Sequence, residues 1–430
     1  MLVGLCLLGA GCGGETTPQL PRSAVRADYG SLPGLSAAAD GELREELAQI
    51  AKAGGTPRQL AEPRAGDADN VASGLTDLFP QDRLEAILQE SEKLFPPGAF
   101  KLNPVELRRV IHFRKRHEAA RLRARQALQR PQCDFGIDFA SGFPAEVQFI
   151  AVVRICARLE AFAAAEALAD GKPTAAAESL SLMLRLAQCL GAQRHLESRL
   201  EAAFLRAEAF RLLQAIVLDE HIRQSDLQRL HEIVGKHLKA WPDDADAWIG
   251  DRAMGMHAYE MVRDGRLREL LTIRELDLFA KEGRLKEVLA AAQKNVDADE
   301  LYYLQTMRQI IESCRRPYYR RTELFDSIGE DLQRRRNTPR FPVVAARLLL
   351  PDVRKGHEIQ ARDRANWEAW ALALALATGE SPPPRTNPLS GENYLHAKQG
   401  NSIIVENFGS GQDGDYPSIS VPCLEGAESK

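Results

Sequence analysis

The sequence predicts a mainly α-helical protein, built as an irregular array of antiparallel helical hairpins that ends in a small β-hairpin. Helix-forming residues such as Ala, Leu, Glu and Arg abound, whereas aromatic residues make up only 6% of the 430 residues. Long segments carry N-cap signals and apolar residues at helical spacing. After Gly379 this pattern stops at a Pro run, and apolar and polar residues then alternate.

Composition divides the chain into five parts. Residues 1–11 are an apolar segment similar to a signal peptide. Residues 12–74, rich in Gly, Pro and Ala, are expected to be a flexible tether with one short helical piece, GELREELAQIAKAG. Residues 75–380 form the helical domain, 381–423 the β-hairpin and 424–430 a tail. The net charge of -4 excludes a polycation built to neutralise phosphates, so nucleic acid is not an expected partner.

The chain begins with the apolar stretch MLVGLCLLGAGCGGE. This stretch resembles the lipobox of bacterial lipoproteins, although Gly9 stands where Leu is usual and no Lys or Arg precedes the apolar run. The resemblance implies that Cys12 becomes the lipid-modified first residue of the mature chain. The protein would then be held on a membrane of the cell envelope, facing the periplasm or the exterior. The alternative is a cytoplasmic protein with an incidental apolar start.

The most basic element of the sequence is the predicted helix at residues 104–130. Asn103 is its expected N-cap, with Pro104 at the first helical position and Glu106 placed to complete a capping box. Its charge has two interpretations, a solvated face paired with acids elsewhere or a surface that contacts anionic lipid headgroups. The candidate contact residues are Arg108, Arg109, Arg114, Lys115, Arg116 and Arg121.

A helical hairpin is predicted around the short turn formed by residues 171–173. Cys156 and Cys189 lie at similar distances before and after this turn, which places them at similar heights on facing helices. They either form a disulfide in an oxidising compartment or stay as small buried side chains. The turn and its second helix look like part of a tetratricopeptide unit, as does AKEGRLKEVLAAAQ, but no consensus repeat connects the two.

No catalytic signature stands out in the sequence. The seven cysteines and nine histidines show no zinc-ligand spacing, and P-loop, G-x-S-x-G and H-E-x-x-H motifs are absent, so neither a cofactor nor a resident metal is expected. One stretch, RPQCDFGIDFASGFP, differs from its helical surroundings and contains Asp134 and Asp138. It is either a packed connection between helices or part of a site assembled from distant helices.

The C-terminal hairpin is expected to turn near KQGN and to leave through the loop GSGQDGD. Its pattern N-P-x-S-G-x-x-Y, an apolar strand, and x-x-G-x-G-x-D-G resembles the C-terminal signature of uncharacterised, mainly helical envelope proteins from planctomycete-type bacteria. It is also similar to the end of type II secretion major pseudopilins. The matching residues are Pro388, Ser390, Gly391, Tyr394, Gly409, Gly411, Asp413 and Gly414.

The pseudopilin resemblance implies a calcium site in the exit loop, at Asp413 and Asp415. This chain departs from the pattern, because Asn387 replaces the usual Asp and no pilin helix stands at the N-terminus. A structural cap is therefore the competing interpretation of the loop, and assembly into a pseudopilus is not expected.

These observations predict a non-enzymatic, lipid-anchored envelope protein whose helical body is a scaffold or binds an unknown protein partner. The alternatives are an enzyme with its site near Asp134 and Asp138, and a peripheral membrane binder that uses the basic helix at 104–130. A buried pocket with convergent acids or His would favour an enzyme, whereas a long groove or an exposed apolar patch would favour partner binding.

Overall fold

The computed structural model describes residues 40–94, 100, 102–143, 145, 147–271, 276, 281, 283, 285–338, 341–406 and 418–424. The protein is mainly helical, with a three-stranded antiparallel sheet near its C-terminus, which confirms the predicted fold class. The α-helices are α1 (Asp40–Lys52), α2 (Pro57–Leu60), α3 (Val71–Leu75), α4 (Leu84–Leu94), α5 (Pro104–Arg116), α6 (Glu118–Ala127), α7 (Gln148–Ala169), α8 (Pro173–Gly191), α9 (Leu196–Val217), α10 (Gln224–Lys239), α11 (Asp244–Arg263), α12 (Leu267–Leu270), α13 (Leu285–Lys294), α14 (Val296–Ser313), α15 (Thr322–Arg335) and α16 (Val353–Ala377).

Shorter elements complete the architecture. In the described ranges, three 3₁₀ turns span Gln81–Arg83, Phe139–Ser141 and Tyr318–Arg320, and a π-helical turn spans Ala345–Leu349. The strands are β1 (Leu395–Gln399), β2 (Ser402–Glu406) and β3 (Ile419–Pro422), in the order β1-β2-β3.

The folded body begins well before residue 75, so the predicted tether of residues 12–74 is wrong from residue 40 onward. α1 lies along α14, and its Leu43 and Leu47 are fully buried there. The short helix predicted in GELREELAQIAKAG forms here, but the flanking Gly- and Pro-rich composition concealed that its apolar stripe is sufficient to dock on an existing core. Residues 1–39 lie outside the described part of the chain.

The larger hydrophobic core is centred on α7, α8 and α9, which pack as successive hairpins. The first turn falls where the sequence predicts it. Gly171 has a φ of +67°, and the amide of Lys172 donates to the carbonyl of Ala167 at 2.8 Å, as in a Schellman closure. The left-handed backbone explains why Gly is needed there.

A second core lies between α1, α11, α14 and the π-helical turn, and it buries Trp248, Tyr259 and Tyr303. The long helix α16 contributes to both cores. Its start packs Val353 into the second core, and its middle packs Trp367 into the first. α16 therefore joins the two halves of the molecule into one packed unit.

The C-terminal β-hairpin prediction is confirmed. Gln399 pairs with Ser402 across a two-residue loop, and Gly400 at its first position has a φ of +59°, which suits a type II′ turn. β3 was missed, because Ile419 and Val421 are only two apolar residues in a short segment. Both are buried, and β3 packs on α9 and α16. This contact gives the otherwise marginal hairpin its support.

The turn before β1 docks the sheet on the helical body. The side-chain oxygen of Asn387 accepts a hydrogen bond from the amide of Leu389 at 2.8 Å. The backbone carbonyl of Asn387 accepts one from the amide of Gly391 at 2.9 Å. A methyl group at Gly391 would lie 2.8 Å from the Tyr319 ring, and its φ is +82°. The hydroxyl of Tyr394 donates to the α16 carbonyl of Ala365 at 3.0 Å.

A buried ion pair connects α9 with α16. Arg206 donates from Nε to a carboxylate oxygen of Asp363 at 2.7 Å, and both side chains are almost fully buried. The guanidinium also lies over the Trp241 ring, 4.9 Å from its centroid. Burial raises the pKa of Asp363, while Arg206 opposes that shift. Removing one partner would leave the other charge buried without compensation.

We expect Asp363→Asn to lower the free energy of unfolding by about 3–5 kcal/mol, because Arg206 would lose its counter-charge in the core. The matched control is Asp326→Asn, whose ion pair with Arg354 is more than half exposed on both sides and should be worth about 0–1 kcal/mol. Urea unfolding monitored by circular dichroism measures both values. Equal losses in the two variants would contradict the role given to the buried pair.

Candidate functional site

The described part of the chain forms a cavity of about 350 Å³ between α9, α11, α12 and the segment that runs from the π-helical turn into α16. Its volume suits a small molecule. Five titratable side chains reach its lining, namely His195, Glu197, Asp251, Glu269 and Asp352. The rest of the wall is mostly apolar and includes Leu196, Trp248, Met254, Ala258, Leu348 and Val353.

Helix α11 forms the floor of the cavity because two glycines let it approach its neighbours closely. A methyl group at Gly250 would lie 1.6 Å from the carbonyl oxygen of Arg194, just before α9. A methyl group at Gly255 would lie 2.3 Å from the hydroxyl of Tyr303 on α14. These contacts hold α11 deep between α9 and α14, so Asp251, between the two glycines, lines a buried space instead of the surface.

Asp251 is the unusual residue of the site. Its side chain is 6% exposed, and within the described residues no hydrogen bond or ion pair reaches its carboxylate. Burial raises the pKa of Asp251 to about 7. The carboxyl is therefore close to half ionised at neutral pH, and a charge that forms there has no compensation from the described chain.

His195 and Glu197 bring polar groups to the cavity from the start of α9. The Nδ1 atom of His195 lies 2.9 Å from the hydroxyl of Ser198, which fixes the ring as the helix cap. Burial lowers the pKa of His195 to about 4, so the imidazole is neutral at neutral pH. Burial and then the neighbouring Glu201 raise the pKa of Glu197.

The rim of the cavity carries a different kind of charge. Glu269 of α12 accepts a hydrogen bond from Arg266 at 2.7 Å, and this bond lowers the pKa of the Glu269 carboxyl. The rim carboxylate is thus paired and near water, whereas the floor carboxyl is unpaired and buried. No group of three or more His, Cys, Asp or Glu residues with a metal-site arrangement occurs in the described ranges.

The two aspartates proposed from the sequence as parts of a site have local structural contacts. Asp134 accepts a hydrogen bond from the backbone amide of Arg64 at 2.7 Å and forms a long ion pair with the same residue. Asp138 caps the 3₁₀ turn that begins at Phe139 and accepts from the hydroxyl of Ser141 at 2.7 Å. Neither lines the cavity that contains Asp251. The observed contacts fit the interpretation of this stretch as a packed connection.

The predicted basic helix at 104–130 is two helices, α5 and α6. They are separated at His117, where φ is −108° and ψ is +18°, and the ring of His117 packs on Phe113 with their centroids 4.7 Å apart. The packing of this ring accompanies a local departure from helical geometry. The α5 capping box at Asn103 forms as predicted.

The six candidate cations divide into two groups. Arg114 pairs with Glu118 and Glu166, Arg116 pairs with Glu90, and Arg121 pairs with Glu118 and Glu160. Arg108, Arg109 and Lys115 are exposed and have no ion pair with any described residue. Pairing with acids therefore accounts for half of the set, and the exposed half remains available for an anionic surface.

The remaining predicted site residues have the following positions. Cys12, Asp413 and Asp415 lie outside the described residues. Cys156 and Cys189 are both buried free thiols. The thiol of Cys189 instead has Cys133 as its neighbour, a residue that the sequence prediction did not consider.

Sequence reasoning also missed His195 and Asp251. The signal available for Asp251 was its position next to Arg252 in the stretch WIGDRAMGM, where apolar residues occupy both sides of the helix. Charged residues within a helix that is apolar all round indicate either a buried pair or a site.

We expect Asp251→Asn to stabilise the protein at high pH. The native pKa of about 7 lies above the ordinary aspartate value of 3.8, so the wild type loses stability between about pH 4 and pH 7 as the buried carboxyl ionises. By pH 8 the free energy of unfolding of the wild type has fallen by about 4 kcal/mol, and the variant does not undergo this decrease. Urea unfolding from pH 4 to pH 8 measures it.

The matched control for this experiment is Asp82→Asn, which changes an exposed aspartate. It should follow the wild-type pH profile. Parallel profiles for Asp251→Asn and the wild type would show that the Asp251 carboxyl is already compensated in the native protein.

Comparison with known proteins yields no family model, curated protein or solved structure that matches this chain. The resemblance to planctomycete-type envelope proteins and pseudopilins therefore stays a prediction. Within the described residues, no helix combines the length and apolar character needed to cross a membrane.

Proposed function

We propose that this protein binds a small molecule with an apolar body and a cationic head, and that it does so on a membrane of the cell envelope. The observation that carries the ligand class is the Asp251 carboxyl, which lines an apolar cavity of about 350 Å³ and has no described partner. A ligand cation would supply the missing counter-charge. The apolar wall would take up the rest of the ligand.

The energetics favour a cation over a neutral or anionic head. An ionised carboxylate in an apolar site is costly unless it is paired, and a ligand ammonium group relieves that cost while it also donates hydrogen bonds. Glu197 adds a second acid to the same lining, and burial raises its pKa as well. An anionic head would meet both acids and would be repelled.

Binding is a better account of the cavity than catalysis. A buried pocket with convergent acids and a His is the feature expected of an enzyme. A carboxyl whose pKa is about 7 also has the proton affinity of a general base. A catalytic base also needs a group that orients it, however, and no described residue hydrogen-bonds to the Asp251 carboxyl. A carboxyl without a hydrogen-bond partner instead suits a binding site in which the ligand supplies that partner.

The envelope location rests on the lipobox-like start and on the exposed cations of α5. A lipid on Cys12 would anchor the chain in the membrane. Electrostatic attraction to anionic headgroups would come from Arg108, Arg109 and Lys115. The helical body would then lie close to the headgroups. A scaffold that binds a protein partner, the function expected from sequence, is compatible with this arrangement.

We expect octylammonium to raise the melting temperature of the protein at pH 8 and to bind more tightly than octanol or octanoate. Its affinity should fall about tenfold between pH 8 and pH 6, because an Asp251 carboxyl of pKa about 7 is mostly protonated at the lower pH. Isothermal titration calorimetry measures the affinities. Asp251→Asn should reduce octylammonium binding to the level of octanol.

Two controls separate charge from shape. Asp82→Asn should leave every affinity unchanged, and Ala258→Leu, which fills part of the cavity wall, should weaken all three probes together. The ligand class would be refuted by octanoate binding as tightly as octylammonium, or by undiminished octylammonium binding to Asp251→Asn.

We expect a labelled fatty acid to be incorporated when the full chain is expressed in a bacterium, and Cys12→Ala to abolish the label. Cys6→Ala is the matched control and should keep it, because only Cys12 takes the lipid in this proposal. Charge reversal of Arg108 and Arg109 should also keep the label while it weakens salt-sensitive membrane association. A label that never appears, or that persists in Cys12→Ala, would remove the lipid anchor.

A further inference from the structure

Two cysteines outside the cavity are brought together by the segment that connects α6 to α7. Cys133 lies in that segment, and Cys189 lies in the last turn of α8. The side-chain Nε2 of Gln193 donates to the backbone carbonyl of Cys133 at 3.1 Å and to that of Cys189 at 2.8 Å. One buried side chain thus holds both cysteine backbones.

A second contact fastens the same segment to the same helix. The guanidinium of Arg185, on α8, donates to the carbonyl of Arg130 at 2.8 Å and to that of Pro131 at 3.1 Å. Gln193 also accepts from the amide of Phe135 at 3.3 Å. The segment is therefore held against α8 on both sides of Cys133, and the position of its thiol is set by the surrounding backbone.

The two thiols are neighbours, and each is the first influence on the pKa of the other. Cys189 is buried, whereas Cys133 is partly exposed. The Cys133 thiol and Arg185 lower the pKa of Cys189, although burial opposes both effects, and the pKa of Cys133 is raised. The pair thus loses its first proton more readily than an isolated buried thiol would.

We propose that Cys133 and Cys189 form an intramolecular disulfide. The oxidant is a disulfide, either a small molecule such as oxidised glutathione or a protein dithiol–disulfide oxidoreductase. After the pair loses one proton, the remaining proton passes to Cys189, and the Cys133 thiolate attacks the oxidant. The thiolate that is expelled takes the proton of Cys189 and leaves as the first thiol. The Cys189 thiolate then attacks the Cys133 sulfur and releases the second thiol. The protein loses two electrons and two protons, and the oxidant disulfide becomes two thiols.

This bond would fix the connection before α7 to the end of α8, where a glutamine and an arginine already hold it. The pair predicted from sequence, Cys156 and Cys189, is the rival outcome. Cys156 is 2% exposed in α7, and burial raises its pKa to about 12. An external oxidant therefore reaches the partly exposed Cys133 more readily than the buried Cys156.

The test exposes the native full chain to oxidised glutathione, blocks free thiols by alkylation, and maps the peptides by mass spectrometry without reduction. We expect a peptide containing Cys133 joined to one containing Cys189, with Cys156 alkylated after unfolding. Oxidation should raise the melting temperature, and dithiothreitol should reverse the rise.

Matched variants separate the two pairings. Cys133→Ala should abolish both the linked peptide and the rise in melting temperature, whereas Cys156→Ala should keep both. Circular dichroism of the reduced variants checks that each one folds. Free, alkylatable Cys133 and Cys189 after oxidation, or a linked peptide that joins Cys156 to Cys189, would overturn the proposal.

Discussion

Buried arginine–carboxylate pairs between helices are the interaction on which this irregular helical array depends. The pairs join elements that are distant in sequence, as Arg206 on α9 does with Asp363 on α16, and Arg121 on α6 does with Glu160 on α7. A buried charge tolerates only a matched partner, so each pair specifies how two helices sit against each other where repeat symmetry does not. Apolar packing supplies most of the stabilisation, and the ion pairs fix the relative positions of the helices.

Asp251 differs from the other buried acids of the second core, and this difference is the basis of the proposed ligand site. The other deeply buried acids of the second core have partners. Asp299, for example, accepts from the hydroxyl of Tyr259 at 2.6 Å and from the amide of Val344 at 2.8 Å. Asp251 has no such partner among the described residues, so its ionised carboxylate bears a stability cost. Such costs are characteristic of sites where the compensating group is a ligand.

Local signals made part of this structure predictable from sequence. The capping box at Asn103, the turn at Gly171 and the hairpin at Gly400 each follow from short-range backbone chemistry, and all three form. The cavity could not be foreseen, because it is assembled from α9, α11, α12 and the π-helical turn, whose relative positions depend on long-range packing. The proximity of Cys133 to Cys189 was hidden for the same reason. The short helix in GELREELAQIAKAG was predicted and forms as α1, but its docking on the core was missed because neighbouring Gly and Pro dominated the local composition.

The central claim is that Asp251 is a buried, uncompensated carboxyl whose counter-charge comes from a ligand cation. A pH titration of this carboxyl by carbon-13 NMR, with and without octylammonium and with Asp251→Asn used to assign the signal, tests it most directly. The account predicts a pKa of about 7 in the empty protein and a clear decrease when the cation is bound, because pairing favours the ionised form. A pKa near that of an exposed aspartate in the empty protein, or one that the cation leaves unchanged, would contradict it.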